Sequence, residues 1–352
     1  MSIFQGLGAW LDRYDPETSR LLQALRPNFA VVGDGAWNHI PEIQADMAPD
    51  PLIILRHVNS DISWEPIDLA SIFRYRADRY GGRFAAYGLN EPSVDSREAR
   101  LKVVRWELEF IAECHKLGLP TVCLNLATGN PSGKSKIPEI EQVEMQEAME
   151  ELRPIHDASE YIGLHLYHLT PNEGQSFLGL LYTAYRYRLW PNWFRRDKLL
   201  CTEMGIDGAY MRFGWRQIGE SNTLAALSAL ASEWKQDGIL GGAFFHLGTM
   251  SDEWDKYLMN ESLAKALSVH NEGYASVPES NIGEEPTMSE PQFRLGFKDL
   301  ADRLQTEGHT VTAVNDEISI NHASLQRVEI DGKPNLFAWL DGEDSVVVYP
   351  LA

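Results

Sequence analysis

Cysteine is scarce in this chain: Cys114, Cys123 and Cys201 are the three it has in 352 residues. That number excludes a disulfide framework, and no C-x-x-C spacing offers a zinc site. Each lies in an apolar segment, so buried free thiols are expected. Basic residues are also few, 31 Lys and Arg against 51 Asp and Glu, for a formal net charge of -20. A phosphate backbone or an anionic membrane surface would be repelled, so the sequence points to neither nucleic acid nor membrane as a partner. No stretch reaches the ~18 apolar residues of a membrane span. The opening residues, MSIFQGLGAWLDRYDP, lack the basic and apolar regions of a secretory leader. The chain therefore reads as soluble and unexported, unless a leader has been removed.

What remains is ordinary globular composition, 44% hydrophobic and 23% charged, enough for a sizeable core. Eight short apolar runs recur: 6–10, 29–35, 51–57, 83–90, 120–127, 161–168, 198–205 and 238–247. Continuous apolar strands bounded by turn residues are what a parallel sheet requires when both its faces are covered. Helical patterns lie between them, at 17–26, 96–118, 139–156 and 222–238, several ending in a glycine before the next strand. Eight strand-then-helix units predict an α/β fold, a (β/α)8 TIM barrel over residues 1–272. A doubly wound open sheet is the alternative, but no glycine fingerprint follows the first strand. Residues 273–291 are polar, acidic and proline-containing and read as a linker. Residues 292–352 carry one amphipathic stretch and then alternating segments, which predicts a small C-terminal α+β module.

Barrels of this kind build their sites at the C-terminal strand ends. The fourth run ends in Asn90-Glu91-Pro92, and the seventh, LLCTEMG, places Glu203 at the equivalent exit. Alone, Glu91 fits a solvated carboxylate beside a strand-stopping proline. Glu203 is harder to dismiss, because an unpartnered carboxylate at the end of a buried strand is costly. Two carboxylates facing each other across a barrel mouth are what glycoside hydrolysis needs, one to protonate the leaving oxygen and one to attack the anomeric carbon.

The trio Asn90-Glu91-Pro92, Thr202-Glu203-Met204-Gly205 and His165-Leu166-Tyr167 resembles the clan A retaining glycoside hydrolases, over roughly residues 6–270. The resemblance implies Glu91 as acid/base and Glu203 as nucleophile. It implies Asn90 on the substrate 2-hydroxyl, Tyr167 donating to Glu203, and His165 lining the same side. Read from the residues alone, His165 and Tyr167 fit equally well as a satisfied core histidine and a tyrosine filling a barrel layer. Further strand-end candidates for substrate contact are Arg56, Trp37, Asn125, Phe245 and Trp254; Arg56 could equally be a structural ion-pair partner, and Trp10 or Trp37 could stack on a sugar or pack under a loop. Many members of the clan place a Trp at the end of strand eight, where this chain has GAFFHLGT, so Phe244 or Phe245, or Trp254 from the following loop, is the expected substitute.

Two apparent motifs are rejected. GNPSGKS (129–135) has Thr128 where a phosphate loop needs glycine, and His165 and His168 point to opposite faces of a strand, against a shared metal. The expectation is a retaining β-glycoside hydrolase needing no metal or cofactor, acting inside a β-linked oligo- or polysaccharide. The alternatives are a carbohydrate-binding barrel without turnover, or a cell-wall glycan hydrolase anchored by the C-terminal module.

Overall fold

The computed structural model describes residues 6–57, 62–131, 138–170, 184–208, 214–217, 219–248, 257–271, 305, 310–313, 318–320, 323–331, 333–340 and 347–350. The chain divides into two compact units, Met1–Ser280 and Asn281–Ala352. In the first, eight parallel strands close into a barrel: Leu7–Leu11 (β1), Phe29–Gly33 (β2), Leu52–Arg56 (β3), Arg83–Tyr87 (β4), Thr121–Leu126 (β5), Tyr161–Thr170 (β6), Leu199–Gly208 (β7) and Gly241–Gly248 (β8). Each predicted apolar run overlaps one of them, and β1, β6, β7 and β8 extend beyond theirs at the C-terminal end. Closure is made by β1 on β8, with Leu7 opposite Gly242 and Ala9 opposite Phe244.

Around the barrel run helices Pro16–Leu25 (α1), Ile40–Asp46 (α2), Pro66–Tyr80 (α3), Arg97–Lys116 (α4), Pro138–Ala158 (α5), Glu220–Asp237 (α6) and Glu261–Leu267 (α7). Their ends follow local chemistry. Asp15 accepts from the amides of Glu17 and Thr18 ahead of Pro16, Ser96 caps the amide of Ala99, and Asn260 caps that of Leu263. Gly238 closes α6 in the left-handed conformation a side chain would resist. Among the described residues no helix is long and apolar enough to cross a membrane.

Strands β1, β2, β3, β5 and β8 are buried along their whole length, as a sheet covered on both faces demands. Alternate residues from successive strands, among them Phe29 and Val31, Leu52 and Ile54, Ala85 and Tyr87, Ala243 and Phe245, join one apolar cluster. With a side-chain period of two, Arg56 takes the next position on the face of Leu52 and Ile54, at the strand's C-terminal end. The same rule brings His165 and Tyr167 to one face of β6.

The described parts of the second unit are antiparallel strands: Val311–Ala313 (β9), Ile318–Ile320 (β10), Ala323–Ile330 (β11), Lys333–Leu340 (β12) and Val347–Pro350 (β13). β11 pairs with β9, β10 and β12, and β12 pairs with β13. The expected linker at 273–291 lies outside the described residues, as does the amphipathic stretch 293–305 apart from Gln305.

Candidate active site

The exit of β4 is where the backbone departs from ordinary geometry. Glu91 has a φ of +46°, in the left-handed region a residue with a Cβ seldom enters. Its amide donates to the Asn125 carbonyl at 3.1 Å, and the Asn125 side-chain nitrogen donates to the Leu89 carbonyl at 3.2 Å. The turn is thus fastened to β5 on both sides of Asn90. Conformations of this kind persist where the surroundings over-determine them, as at functional sites.

Glu203, on β7, is the most enclosed carboxylate of the group. Its Oε1 meets Arg56 Nη1 at 2.5 Å, and its Oε2 accepts from the Tyr167 hydroxyl at 3.3 Å and lies 3.4 Å from His165 Nδ1. Burial works against the charge of Arg56, but the attraction of Glu203 and the hydrogen bond to it more than restore that charge. The guanidinium also stacks over Trp10 and Tyr87, with its carbon 5.1 and 5.4 Å from the ring centroids.

His165 joins the two carboxylates. Its Nδ1 is 2.7 Å from Glu91 Oε1 and 3.4 Å from Glu203 Oε2, so that nitrogen faces both carboxylates. Its Nε2 is 3.1 Å from the hydroxyl of Tyr87, which also lies 3.0 Å from Asn90 Oδ1. Burial pushes the phenols of Tyr87 and Tyr167 well above their usual value, so both remain O–H donors. The result is an enclosed Glu203 with fixed donors on both oxygens, and a Glu91 whose side chain is 48% exposed at the mouth.

All the expected site residues except Trp254 lie among the described residues. Glu91, Glu203, Asn90, His165, Tyr167 and Arg56 come together, and Arg56 is the ion-pair partner of Glu203. Asn125 does not line the mouth. It is fully buried, with its nitrogen on the Leu89 and Val122 carbonyls and its oxygen accepting from Thr202 Oγ1, so it ties strands together rather than meeting a substrate. Trp37 is also enclosed, donating to the Val32 carbonyl and packing edge-on to Phe73 and His57, with the Arg76 guanidinium over its ring, so it offers no open stacking face. Phe245 is buried midway along β8, 4.8 Å from Trp10 and 6.4 Å from Tyr167 between ring centroids. Trp254 and most of GNPSGKS lie outside the described residues, and so does the side chain of His168.

Two residues that sequence reasoning passed over belong to this region. Tyr87 is the inward neighbour of Ala85 by strand alternation, a signal that was available. Glu107 is wholly buried behind β4 and holds the Leu89 amide at 3.1 Å. Its signal was a glutamate inside the apolar stripe Val103, Val104, Phe110, Ile111, Cys114 of α4.

Glu91, His165 and Glu203 each offer a ligand atom, all within 4.8 Å of one another, a set that could hold a divalent cation. The donor chemistry fits one poorly. A cation here would sit beside the fixed charge of Arg56, which already occupies Glu203 Oε1.

No family model and no curated protein matches this chain. Solved structures do match its fold. A GH5-4 broad-specificity endoglucanase from an uncultured bacterium has a TM-score of 0.50 and 11% identity over 76% of this chain and 94% of that one. A β-D-glucuronidase from Dictyoglomus thermophilum has a TM-score of 0.49 and 12% identity over 78% of this chain and 51% of that one, so the match spans about half of the glucuronidase. A GH128 endo-β-1,3-glucanase from Amycolatopsis mediterranei, in complex with laminaritriose, has a TM-score of 0.46 and 13% identity over 77% of this chain and 100% of that one. At such identities the likeness establishes the barrel fold and nothing finer.

Proposed function

We propose that this chain is a retaining β-glycoside hydrolase that cleaves a β-linked oligo- or polysaccharide. The observation that carries the reading is the pairing of Glu91, just past β4, with Glu203, midway along β7, with carboxylate oxygens within 4.8 Å of each other. Retaining enzymes hold their carboxyls about 5–5.5 Å apart, while inverting ones leave about 6.5–9.5 Å for a water. In this mechanism Glu203, fixed by Arg56 and Tyr167, attacks the anomeric carbon as Glu91 gives its proton to the departing glycosidic oxygen. Glu91, now ionised, takes a proton from water, whose oxygen attacks the same carbon and releases the sugar from Glu203. The His165 Nδ1 facing both carboxylates suits a site whose charge moves from one to the other. Asn90 stands beside Glu91 to hold a neighbouring hydroxyl of the reacting sugar.

The test is reducing-sugar release from a panel of β-glucans, mannans, xylans and cell-wall glycans by wild type and Glu203→Gln. Release that falls by several orders of magnitude in the variant supports the reading and names the substrate class. Polymers bound equally by both proteins and cut by neither would overturn it in favour of a carbohydrate-binding barrel.

A further inference from the structure

Glu107 is used by no step of that mechanism. It projects from α4 into the barrel wall, with none of its surface exposed. Its Oε1 accepts from the Leu89 amide, and the Cys123 thiol and Leu124 amide face the same carboxyl. A Cβ at Gly88 would stand 2.5 Å from Oε2 and 2.8 Å from Oε1, so strand and carboxyl are in direct contact where glycine alone leaves room. Burial drives this carboxyl up to about 7, an energetic cost no leucine in the same stripe would incur.

Leu89 is the residue before Asn90-Glu91. Its N–H is held by Glu107 and its carbonyl by Asn125, whose own carbonyl holds the Glu91 amide. The left-handed turn at Glu91 is therefore gripped from α4 on one side and from β5 on the other. Removing the carboxyl would leave the Leu89 N–H buried without its acceptor, and the chain would relax toward ordinary φ at Glu91.

We propose that Glu107 is a positioning residue whose carboxyl fixes the Leu89 peptide and through it aims Glu91. This rests on the reading of Glu91 as acid/base, and two measurements on the full chain separate the ideas. The first is amide hydrogen exchange in wild type, Glu107→Leu, Glu107→Gln and Gly88→Ala. Exchange across 88–91 is expected to rise about tenfold or more in E107L and G88A while β2 and β3 stay protected, and E107Q, which keeps an acceptor oxygen, is expected to restore protection. Unchanged exchange at 88–91 in both variants, or an equal rise around the whole barrel, overturns the proposal. If E107L does not fold, G88A decides by the same criteria.

The second measurement compares cleavage of 2,4-dinitrophenyl and phenyl β-glycosides. Dinitrophenolate leaves without a proton, so a misaimed Glu91 should lower kcat/KM for the phenyl substrates about tenfold or more and leave kcat/KM for the dinitrophenyl substrates near wild type, while kcat on the latter falls because water attack on the glycosyl-enzyme still needs Glu91 as base. Equal loss of kcat/KM on both overturns the positioning role. If wild type cuts no member of a broad panel, the hydrolase reading fails while the exchange measurement still decides what Glu107 does.

Discussion

Arg56 and Glu203, which are 147 residues apart in the chain, meet at 2.5 Å with both side chains about nine-tenths buried. Removing the guanidinium leaves Glu203 enclosed with a hydroxyl and an imidazole alone. Arg56→Gln should therefore destabilise the barrel by about 3–5 kcal/mol, the cost of an uncompensated buried charge. Urea unfolding measures it; a loss under about 1 kcal/mol would show that the pair is not the anchor of Glu203. Arg56→Lys should recover only part, since an ammonium lacks the guanidinium plane that lies over Trp10 and Tyr87.

Tyr167 holds the other oxygen of Glu203 by a single, longer contact of 3.3 Å. Tyr167→Phe removes that donor and keeps the ring against Phe245. On the proposed mechanism kcat should fall about tenfold, with stability changed by about 1 kcal/mol or less. A larger kinetic loss than that of Arg56→Gln would reverse the ranking of the two donors.

Glu107 makes stability depend on pH in an unusual direction. Its ordinary value is 4.5, and burial raises it to about 7 in the folded chain. Below about pH 4.5 both states hold the proton and there is no penalty. Between 4.5 and 7 the unfolded chain releases its proton first, so stability falls as pH rises. Above 7 the penalty is full: the gap from 4.5 to about 7, at about 1.4 kcal/mol per pH unit, comes to about 3 kcal/mol. Glu107→Gln has no proton to lose, so its melting temperature should gain on wild type between pH 5 and pH 8. A constant difference across that range would mean that Glu107 does not titrate there.

The barrel and much of this site were legible before any coordinates because the signals were local. Eight apolar runs marked the strands, helical patterns marked α1, α4, α5 and α6 to within two residues, strand ends singled out Glu91, Glu203 and Arg56, and the family resemblance added His165 and Tyr167. What was not legible depended on neighbours distant in sequence. Asn125 stands at a strand end, as a substrate contact would, but Gly163 on β6 leaves the space it fills, and Thr202 on β7 supplies its third partner. Trp37 follows β2, as a stacking platform would, yet a 3₁₀ turn over 34–39 folds it back onto the Val32 carbonyl. Glu107 was hidden by the convention that a charged residue in a helix faces water.

Asn125 gives the sharpest test of those corrections. Its side chain binds the Leu89 and Val122 carbonyls and the Thr202 hydroxyl, and a Cβ at Gly163 would fall 1.8 Å from its oxygen. No substrate group could share a side chain so occupied. Asn125→Ala would leave two buried carbonyls short of a donor and a hydroxyl without one acceptor, at about 1–3 kcal/mol for each group left unsatisfied. The expected result is a loss of several kcal/mol in urea unfolding, with little change in KM for the protein that remains folded. Because the Leu89 carbonyl anchors the turn before Glu91, kcat should fall in step. A variant of wild-type stability with a raised KM would return Asn125 to the substrate.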